Sequence, residues 1–144
     1  MKICLRPVNN NDVSFLLDLR RKTMHKYSLE ISEENDSSDL SRVKYSFDDI
    51  QIVRYREKDV GMIKMSKDYS ENHWYIYQFQ VDPEFQGIGI GKAILNDICK
   101  SAVSVNATIG LSVFKNNPAI SLYRGLGFKD VASSKYEFEM EFNA

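Results

Sequence analysis

A glycine-rich loop joins the most strand-like segment of the chain to a helical pattern; it reads Val81-Asp82-Pro83-Glu84-Phe85-Gln86-Gly87-Ile88-Gly89-Ile90-Gly91-Lys92. Asp82-Pro83 ends the strand, because proline cannot donate to the ladder. The three alternate glycines let the backbone turn sharply and approach a ligand. The first helical turn adds unpaired N–H groups and the positive end of a dipole. The stretch therefore predicts a phosphate or pyrophosphate site.

Two better-known phosphate loops are excluded by the same residues. A P-loop needs glycine where Gln86 stands, and a serine or threonine where Ala93 stands. The dinucleotide fingerprint needs a glycine at its sixth position, which is occupied by Lys92 or Ile94 depending on the starting glycine.

Hydrophobic spacing around the loop predicts the other elements. Upstream, Asn9 with Asp12 suits a capping box. The predicted upstream elements are a strand at 2–8, a helix from Asn9 to about Tyr27, a short helix at 40–45, and strands at 49–55, 60–65 and 74–81, with a turn at 56–59. The predicted downstream elements are a helix with the apolar face Ile90, Ile94, Leu95, Ile98 and Ala102, a strand at 107–114, a helix at 117–126 capped by Asn and ended by Gly127, and a strand at 135–142.

The order β-α-α-β-β-β-α-β-α-β, with one further short strand after Phe128 left open, fits neither a hairpin stack nor strict βαβ repetition. It predicts an α/β (α+β) fold with a mixed, mostly antiparallel sheet flanked by helices on both faces. The 144 residues suit a single domain, 1–144.

Composition narrows the function classes. The net charge is −1, so the basic excess of a nucleic-acid or membrane binder is missing. No apolar run suggests a signal peptide or a membrane span, and we expect a cytoplasmic protein. Cys4 and Cys99 lie among apolar neighbours and are expected to be two buried reduced thiols. No CxxC spacing exists, and no metal site is expected.

The pattern Gln-x-x-Gly-x-Gly, met by Gln86, Gly89 and Gly91, resembles the pyrophosphate-binding segment of the GNAT superfamily of acyl-CoA-dependent N-acetyltransferases. A glycine-rich turn with no ligand is the alternative for this motif alone. The resemblance implies that the loop amides hold the coenzyme A pyrophosphate and that the preceding strand pairs with the pantetheine arm. The implied cofactor-binding residues are Phe79, Val81, Gln86, Gly87, Ile88, Gly89, Ile90, Gly91, Lys92, Asn116, Asn117 and Ala119.

A second motif lies downstream. Residues 116–128 are similar to the family signature Asn-x-x-Ala-x-x-x-Tyr-x-x-x-Gly-Phe, and all five named positions match: Asn116, Ala119, Tyr123, Gly127 and Phe128. The opening Leu5-Arg6-Pro7-Val8 is also typical of the family. The resemblance covers nearly the whole chain and is weakest from Ser28 to Ser46.

The resemblance gives Tyr123 a catalytic role, as the acid that protonates the departing thiolate. Its spacing with Ala119, Leu122 and Leu126 also suits a plain core tyrosine. Asn117, or its neighbour Asn116, could cap the helix and contact the pantetheine arm.

The general base is open. Family members often carry a glutamate on the strand before the loop, whereas this strand carries Gln78 and Gln80, which cannot take a proton. His73 could titrate near neutral pH or be a solvated loop histidine. The acidic residues Glu30, Glu33 and Glu34 could attract a cationic amine or form a solvated surface.

The resemblance thus implies direct transfer of an acetyl group from acetyl-CoA to a primary amine within a ternary complex. The acceptor is a small molecule or a protein amine, no metal is needed, neither cysteine is a nucleophile, and a homodimer is an open possibility. The alternative from another class is a non-catalytic coenzyme A-binding sensor or interaction module.

Overall fold

A computed structural model describes residues 2–28 and 36–143. Within these residues, seven strands and four α-helices follow one another in the predicted order, including the short strand after Phe128. The strands are β1 (Ile3–Pro7), β2 (Ile50–Tyr55), β3 (Lys58–Asp68), β4 (His73–Val81), β5 (Thr108–Phe114), β6 (Lys129–Ser133) and β7 (Glu137–Asn143). The helices are α1 (Val13–Ser28), α2 (Asp36–Lys44), α3 (Ile90–Val105) and α4 (Ile120–Leu126).

The strands form a seven-stranded sheet in the order β1-β2-β3-β4-β5-β7-β6. The pairs β1–β2, β2–β3, β5–β7 and β6–β7 are antiparallel, and β4–β5 is parallel. The predicted fold class, a mixed and mostly antiparallel sheet with helices, is confirmed. Among the described residues, no helix is long and apolar enough to cross a membrane.

Two compact units make up the chain. The first comprises Met1–Lys64 and Gln78–Ile90, and the second comprises Met65–Tyr77 and Gly91–Ala144. Whether the chain is a single functional domain stays a prediction.

The first unit begins with the predicted capping box. The side chain of Asn9 accepts from the backbone of Asn11 at 2.9 Å, and Asp12 accepts from the backbone of Asn9 at 2.8 Å. The cap closes a 3₁₀ turn, Asn10–Asp12, that leads into α1. Arg6 binds both carboxylate oxygens of Asp12, at 2.7 and 3.0 Å, and lowers the pKa of that carboxyl group.

The core of the first unit lies between two helices and two strands. Burying these side chains removes apolar surface from water, which is the main favourable term in folding. The cluster consists of Leu16 and Leu19 of α1, Val43 of α2, Ile50 and Ile52 of β2, and Met62 of β3.

Lys64 is fully buried, with 0% of its surface exposed. Its Nζ donates to the backbone carbonyls of Arg42, Val43 and Tyr45, at 2.8, 3.3 and 2.5 Å. These carbonyls lie at and just beyond the C-terminal end of α2, where a cation is favoured by the helix dipole. Burial lowers the pKa of Lys64 to about 8. The lysine therefore ties the end of α2 to β3.

The β2–β3 hairpin closes more tightly than predicted. Tyr55 pairs with Lys58, so the loop is the two residues Arg56 and Glu57, and Lys58 already belongs to β3. Both loop residues are left-handed, with φ of 51° and 64°. This is the backbone that a two-residue turn of type I′ requires.

In the second unit, β5 lies between β4 and β7. Asn72 donates from its side chain to the carbonyls of Val105 and Asn106, at 2.7 and 2.8 Å, which ties the start of β4 to the end of α3. Gly127 ends α4 as predicted, with φ of 108°. Phe128 and Phe142 pack with ring centroids 5.6 Å apart.

Two local predictions are wrong. Cys99 is buried, but Cys4 is exposed, because β1 is the edge strand of the sheet and the residue's apolar neighbours do not cover it. Asn117 does not cap α4, which starts at Ile120 with Ala119 at the N-cap. Instead the Asn117 side chain accepts from the backbone of Ala119 at 2.9 Å, since Pro118 keeps the preceding residue out of the helical conformation.

Gly61 is required by a close approach of two strands. A Cβ placed on Gly61 would lie 2.4 Å from the carbonyl oxygen of Gln80. We expect Gly61→Ala to lower the free energy of unfolding by about 2 kcal/mol, because backbone must move to relieve the contact. Urea denaturation measures this. The control is Gly125→Ala, where a Cβ meets nothing within 4 Å and a helical alanine should be neutral or stabilising. Equal midpoints for the two variants would contradict the role given to Gly61.

Candidate functional site

The end of β4 is fixed by backbone and side-chain hydrogen bonds within the first unit. The N–H of Asp82 donates to the carbonyl of Val60 at 2.7 Å. Asp82 then caps a 3₁₀ turn, Pro83–Phe85, by accepting from the backbone of Glu84 at 3.0 Å. The strand therefore ends before Asp82-Pro83 as predicted, and the 3₁₀ turn connects it to the glycines at 87 and 89.

Gln86 closes the turn back onto the strand. Its side-chain Nε2 donates to the carbonyl of Val81 at 2.8 Å. The side-chain amide thus holds Gln86, the residue before Gly87, beside Val81, the last residue of β4. This role was not visible in the sequence, where Gln86 served only as a motif position.

The glycines that follow adopt backbone conformations that other residues avoid. Gly87 and Gly89 have φ of 81° and 93°. A Cβ on Gly87 would meet nothing within 4 Å, so conformation and an open face, rather than crowding, explain the glycine there. Ile88 between them is 46% exposed.

The loop presents free hydrogen-bond donors. Among the described residues, the backbone N–H groups of Gly87, Ile88 and Gly89 donate to no carbonyl or side chain. Ile90, which is buried, starts the 16-residue helix α3 immediately afterwards. Exposed amides followed by a helix N-terminus suit an anionic ligand.

One cation beside the loop was missed by sequence reasoning. Lys22 of α1 donates to the Asp82 carboxylate at 3.2 Å and lies 3.1 Å from Asp18. Both carboxylates, Asp18 first, raise the pKa of Lys22. Only the Asp18–Lys22 spacing, four residues along a helix, gave a signal in the sequence.

In the second unit, Gly91 and Lys92 lie in the first turn of α3, and Lys92 is exposed. Asn116 is also exposed, whereas Asn117 and Ala119 are half-buried. The Asn117 side-chain oxygen is occupied by the backbone of Ala119.

Tyr123 lies in α4 and is 7% exposed. Its ring packs edge-on against Phe128, with centroids 5.7 Å apart. Within the described part of the chain the hydroxyl makes no hydrogen bond. Burial raises the pKa of Tyr123 to about 12, so the phenol keeps its proton at neutral pH. The packing of the ring suits a core tyrosine. The hydroxyl, which makes no hydrogen bond to the described residues, is compatible with a proton donor.

The two glutamines of β4 lie in the first unit. Gln80 is 5% exposed, and its Nε2 has no hydrogen-bond partner among the described residues. Gln78 and Gln80 line a narrow cavity with Arg20 of α1. Arg20 forms a buried ion pair with Asp39 at 3.0 Å. No carboxylate stands at either glutamine, so β4 supplies no base there.

His73 is the first residue of β4 and is partly exposed. Its Nε2 lies 3.8 Å from the Glu141 carboxylate. Glu30, Glu33 and Glu34 lie outside the described residues. The first unit thus contains Phe79, Val81, Gln86, Gly87, Ile88, Gly89 and Ile90 of the predicted site, and the second contains Gly91, Lys92, Asn116, Asn117, Ala119 and Tyr123.

Known structures share this fold over its whole length. The crystal structure of the PaiA N-acetyltransferase from Thermoplasma acidophilum, in complex with coenzyme A, is 20% identical, covers 100% of both chains and superposes with a TM-score of 0.75. That of PH1933 from Pyrococcus horikoshii OT3 is 26% identical, covers 99% of both chains and has a TM-score of 0.76.

Sequence relatives match over a shorter range. The "GCN5-related N-acetyltransferase 2, chloroplastic" of Arabidopsis thaliana is 32% identical over 74 residues, which is 51% of this chain and 28% of that protein. The chain spans half or less of the length of the curated relatives it matches. The model of the acetyltransferase (GNAT) family matches residues 16–128. The resemblance of the two motifs is confirmed, and the chain belongs to the GNAT acetyltransferase family.

Proposed function

We propose that this protein is an N-acetyltransferase that moves an acetyl group from acetyl-CoA to a primary amine. The observation that carries the proposal is the exposed loop of Gly87, Ile88 and Gly89, whose N–H groups have no acceptor among the described residues and directly precede α3. Such a loop suits the coenzyme A pyrophosphate. Family membership supports acetyl transfer as the chemistry, and the coenzyme A bound to the Thermoplasma protein supports the cofactor.

The proposed reaction is a direct attack within a ternary complex. The neutral amine attacks the thioester carbonyl, which a backbone N–H near Val81 polarises, and the C–N bond forms as the C–S bond breaks. The departing thiolate takes a proton, and the attacking nitrogen loses one to solvent. Tyr123 is the proposed donor, because its raised pKa keeps the phenol protonated and its hydroxyl makes no hydrogen bond to the described residues. No covalent enzyme intermediate is required.

The acceptor is proposed to be a cationic amine, on a small molecule or a protein. This rests on the acidic residues Glu30, Glu33 and Glu34 of the sequence, which would favour a positive charge. A screen of amines with thiol release as the readout identifies the acceptor.

A second candidate is a coenzyme A-binding module without catalysis. Gln78 and Gln80 favour it, because neither can accept the proton of the attacking amine. The two candidates differ in turnover: the module binds acetyl-CoA but releases no thiol with any amine of the panel.

Acetyl-CoA should raise the melting temperature of the protein. A ligand at a hundredfold excess over its Kd stabilises the native state by about 2.7 kcal/mol. Gly89→Val should abolish the shift, since a β-branched residue is strained at φ of 93° and its side chain blocks approach to the loop amides. Scanning calorimetry with and without ligand measures the shift within each variant.

The matched control for this shift is Gly125→Val, which adds the same atoms at an exposed helical position with open space. It should keep the full shift. If Gly89→Val folds and also keeps it, acetyl-CoA binds elsewhere on the protein.

Tyr123→Phe should lower turnover about a hundredfold or more, the usual scale of general acid catalysis. A thiolate with a pKa of about 8.5 still gains from a proton near pH 7. Because the ring and its contact with Phe128 remain, acetyl-CoA affinity and melting temperature should stay nearly unchanged. Steady-state kinetics and calorimetry check the three quantities.

Tyr69→Phe is the matched control, because Tyr69 is 80% exposed and the same oxygen is removed. It should change nothing. A fall in turnover of less than about threefold for Tyr123→Phe would make Tyr123 a packing residue, with water as the proton donor.

A further inference from the structure

A second cavity, separate from the loop residues, lies in the first unit at the edge of the sheet. Its volume is about 470 Å³, within the range of small-molecule pockets. It is formed by the start of β1 and the β2–β3 turn. Its apolar lining is Ile3, Cys4 and Tyr55, and its charged lining is Lys2, Arg54, Arg56 and Glu57.

Positive charge dominates this lining. Arg54 lies 3.1 Å from Asp59 and donates to the carbonyl of Glu57 at 2.5 Å, but Asp59 is shared with Arg6. Lys2 and Arg56 form no ion pair with a carboxylate in the described part of the chain. The cavity lining therefore carries three cations and one carboxylate, that of Glu57, and two of the cations form no ion pair with the described residues.

The turn holds Arg56 at the cavity. A two-residue turn of this backbone usually carries Asn-Gly, whereas here Arg56 and Glu57 occupy both left-handed positions. The guanidinium of Arg56 lies over the ring of Tyr55, 5.1 Å from its centroid. Arg56 is itself exposed, so its guanidinium remains accessible to an anion.

The cavity also adjoins the segment that leads into the glycine loop. The ring of Tyr55 packs edge-on against Phe85, with centroids 6.4 Å apart. Phe85 is the last residue of the 3₁₀ turn before Gln86. Tyr55 of the cavity lining is therefore in contact with the segment that leads into the loop.

We infer that this cavity binds a phosphate group, through Arg56 and Lys2 with Arg54 as a third cation. The phosphate comes from one of two sources. It is the 3′-phosphate of the coenzyme A nucleotide, in which case the inference rests on the proposed function, or it belongs to a separate small phosphorylated ligand.

The test compares coenzyme A with 3′-dephospho-coenzyme A by titration calorimetry at constant ionic strength, because salt screens such contacts. The variant carries Lys2→Gln and Arg56→Gln together, and Arg54 is left unchanged because it holds Asp59. The control is Lys58→Gln, which removes one charge from the same hairpin but not from the cavity lining. If the nucleotide is the source, the variant weakens coenzyme A about tenfold, leaves the dephospho form unchanged, and the control weakens neither.

Cys4 provides a second measurement, since its exposed thiol lines the cavity. Mass spectrometry follows its alkylation by iodoacetamide with inorganic phosphate, and separately with coenzyme A, while buried Cys99 serves as the internal reference. If the source is a separate ligand, inorganic phosphate slows Cys4 alkylation in the wild type and not in the variant, and both coenzyme forms bind the variant normally.

The inference is overturned if the variant binds coenzyme A and dephospho-coenzyme A as the wild type does and phosphate fails to protect Cys4. It is also overturned if Lys58→Gln reproduces the effects of the variant, because a general field would then suffice. A wild type that binds neither coenzyme form contradicts the proposed function instead, and phosphate protection of Cys4 then decides the inference alone.

Discussion

The close approach of β3 to the end of β4 is the constraint on which the loop geometry depends. Gly61 has no side chain, so the carbonyl oxygen of Gln80 can lie 2.4 Å from the position that a Cβ would take. One step further along, the N–H of Asp82 donates to Val60 and ends the pairing. The chain therefore leaves the sheet after Val81, at the Asp82 hydrogen bond. The 3₁₀ turn, the Gln86 side chain and the left-handed glycines lead from that exit into a loop whose residues 87–89 are exposed.

Several buried polar groups support the same part of the molecule. Lys64 caps the end of α2 through three carbonyls, and Arg20 pairs with Asp39 between α1 and α2. Removing a charge from water is unfavourable unless hydrogen bonds replace the lost hydration. These contacts therefore link α1 to α2 and the end of α2 to β3, in addition to the apolar cluster. Gln80 lies beside the same helices, but its Nε2 has no hydrogen-bond partner among the described residues.

Tyr123 combines a packing position with its proposed role as the proton donor. Its ring fills a place next to Phe128, and its backbone carbonyl accepts from the N–H of Phe128 at 3.0 Å. The ring is thereby packed in α4, and its hydroxyl makes no hydrogen bond to the described residues. Desolvation then favours the protonated phenol. A proton donor on a rigid element loses little freedom when it acts, which is favourable for catalysis.

The sequence alone determined what depends on neighbours in the chain. The cap at Asn9 and Asp12, the stop at Asp82-Pro83, the left-handed Gly127 and the element order all follow from local backbone chemistry, and the two motifs were sufficient to indicate the family. The Asn117 cap failed because Pro118 offered a competing local turn.

Tertiary structure decided everything that depends on distant residues: the exposure of Cys4 on an edge strand, the burial of Lys64 against carbonyls about twenty residues away, and the cavity of Arg56 beside Phe85. Burial and charge pairing are set by which strands and helices meet, and spacing along the chain does not encode that.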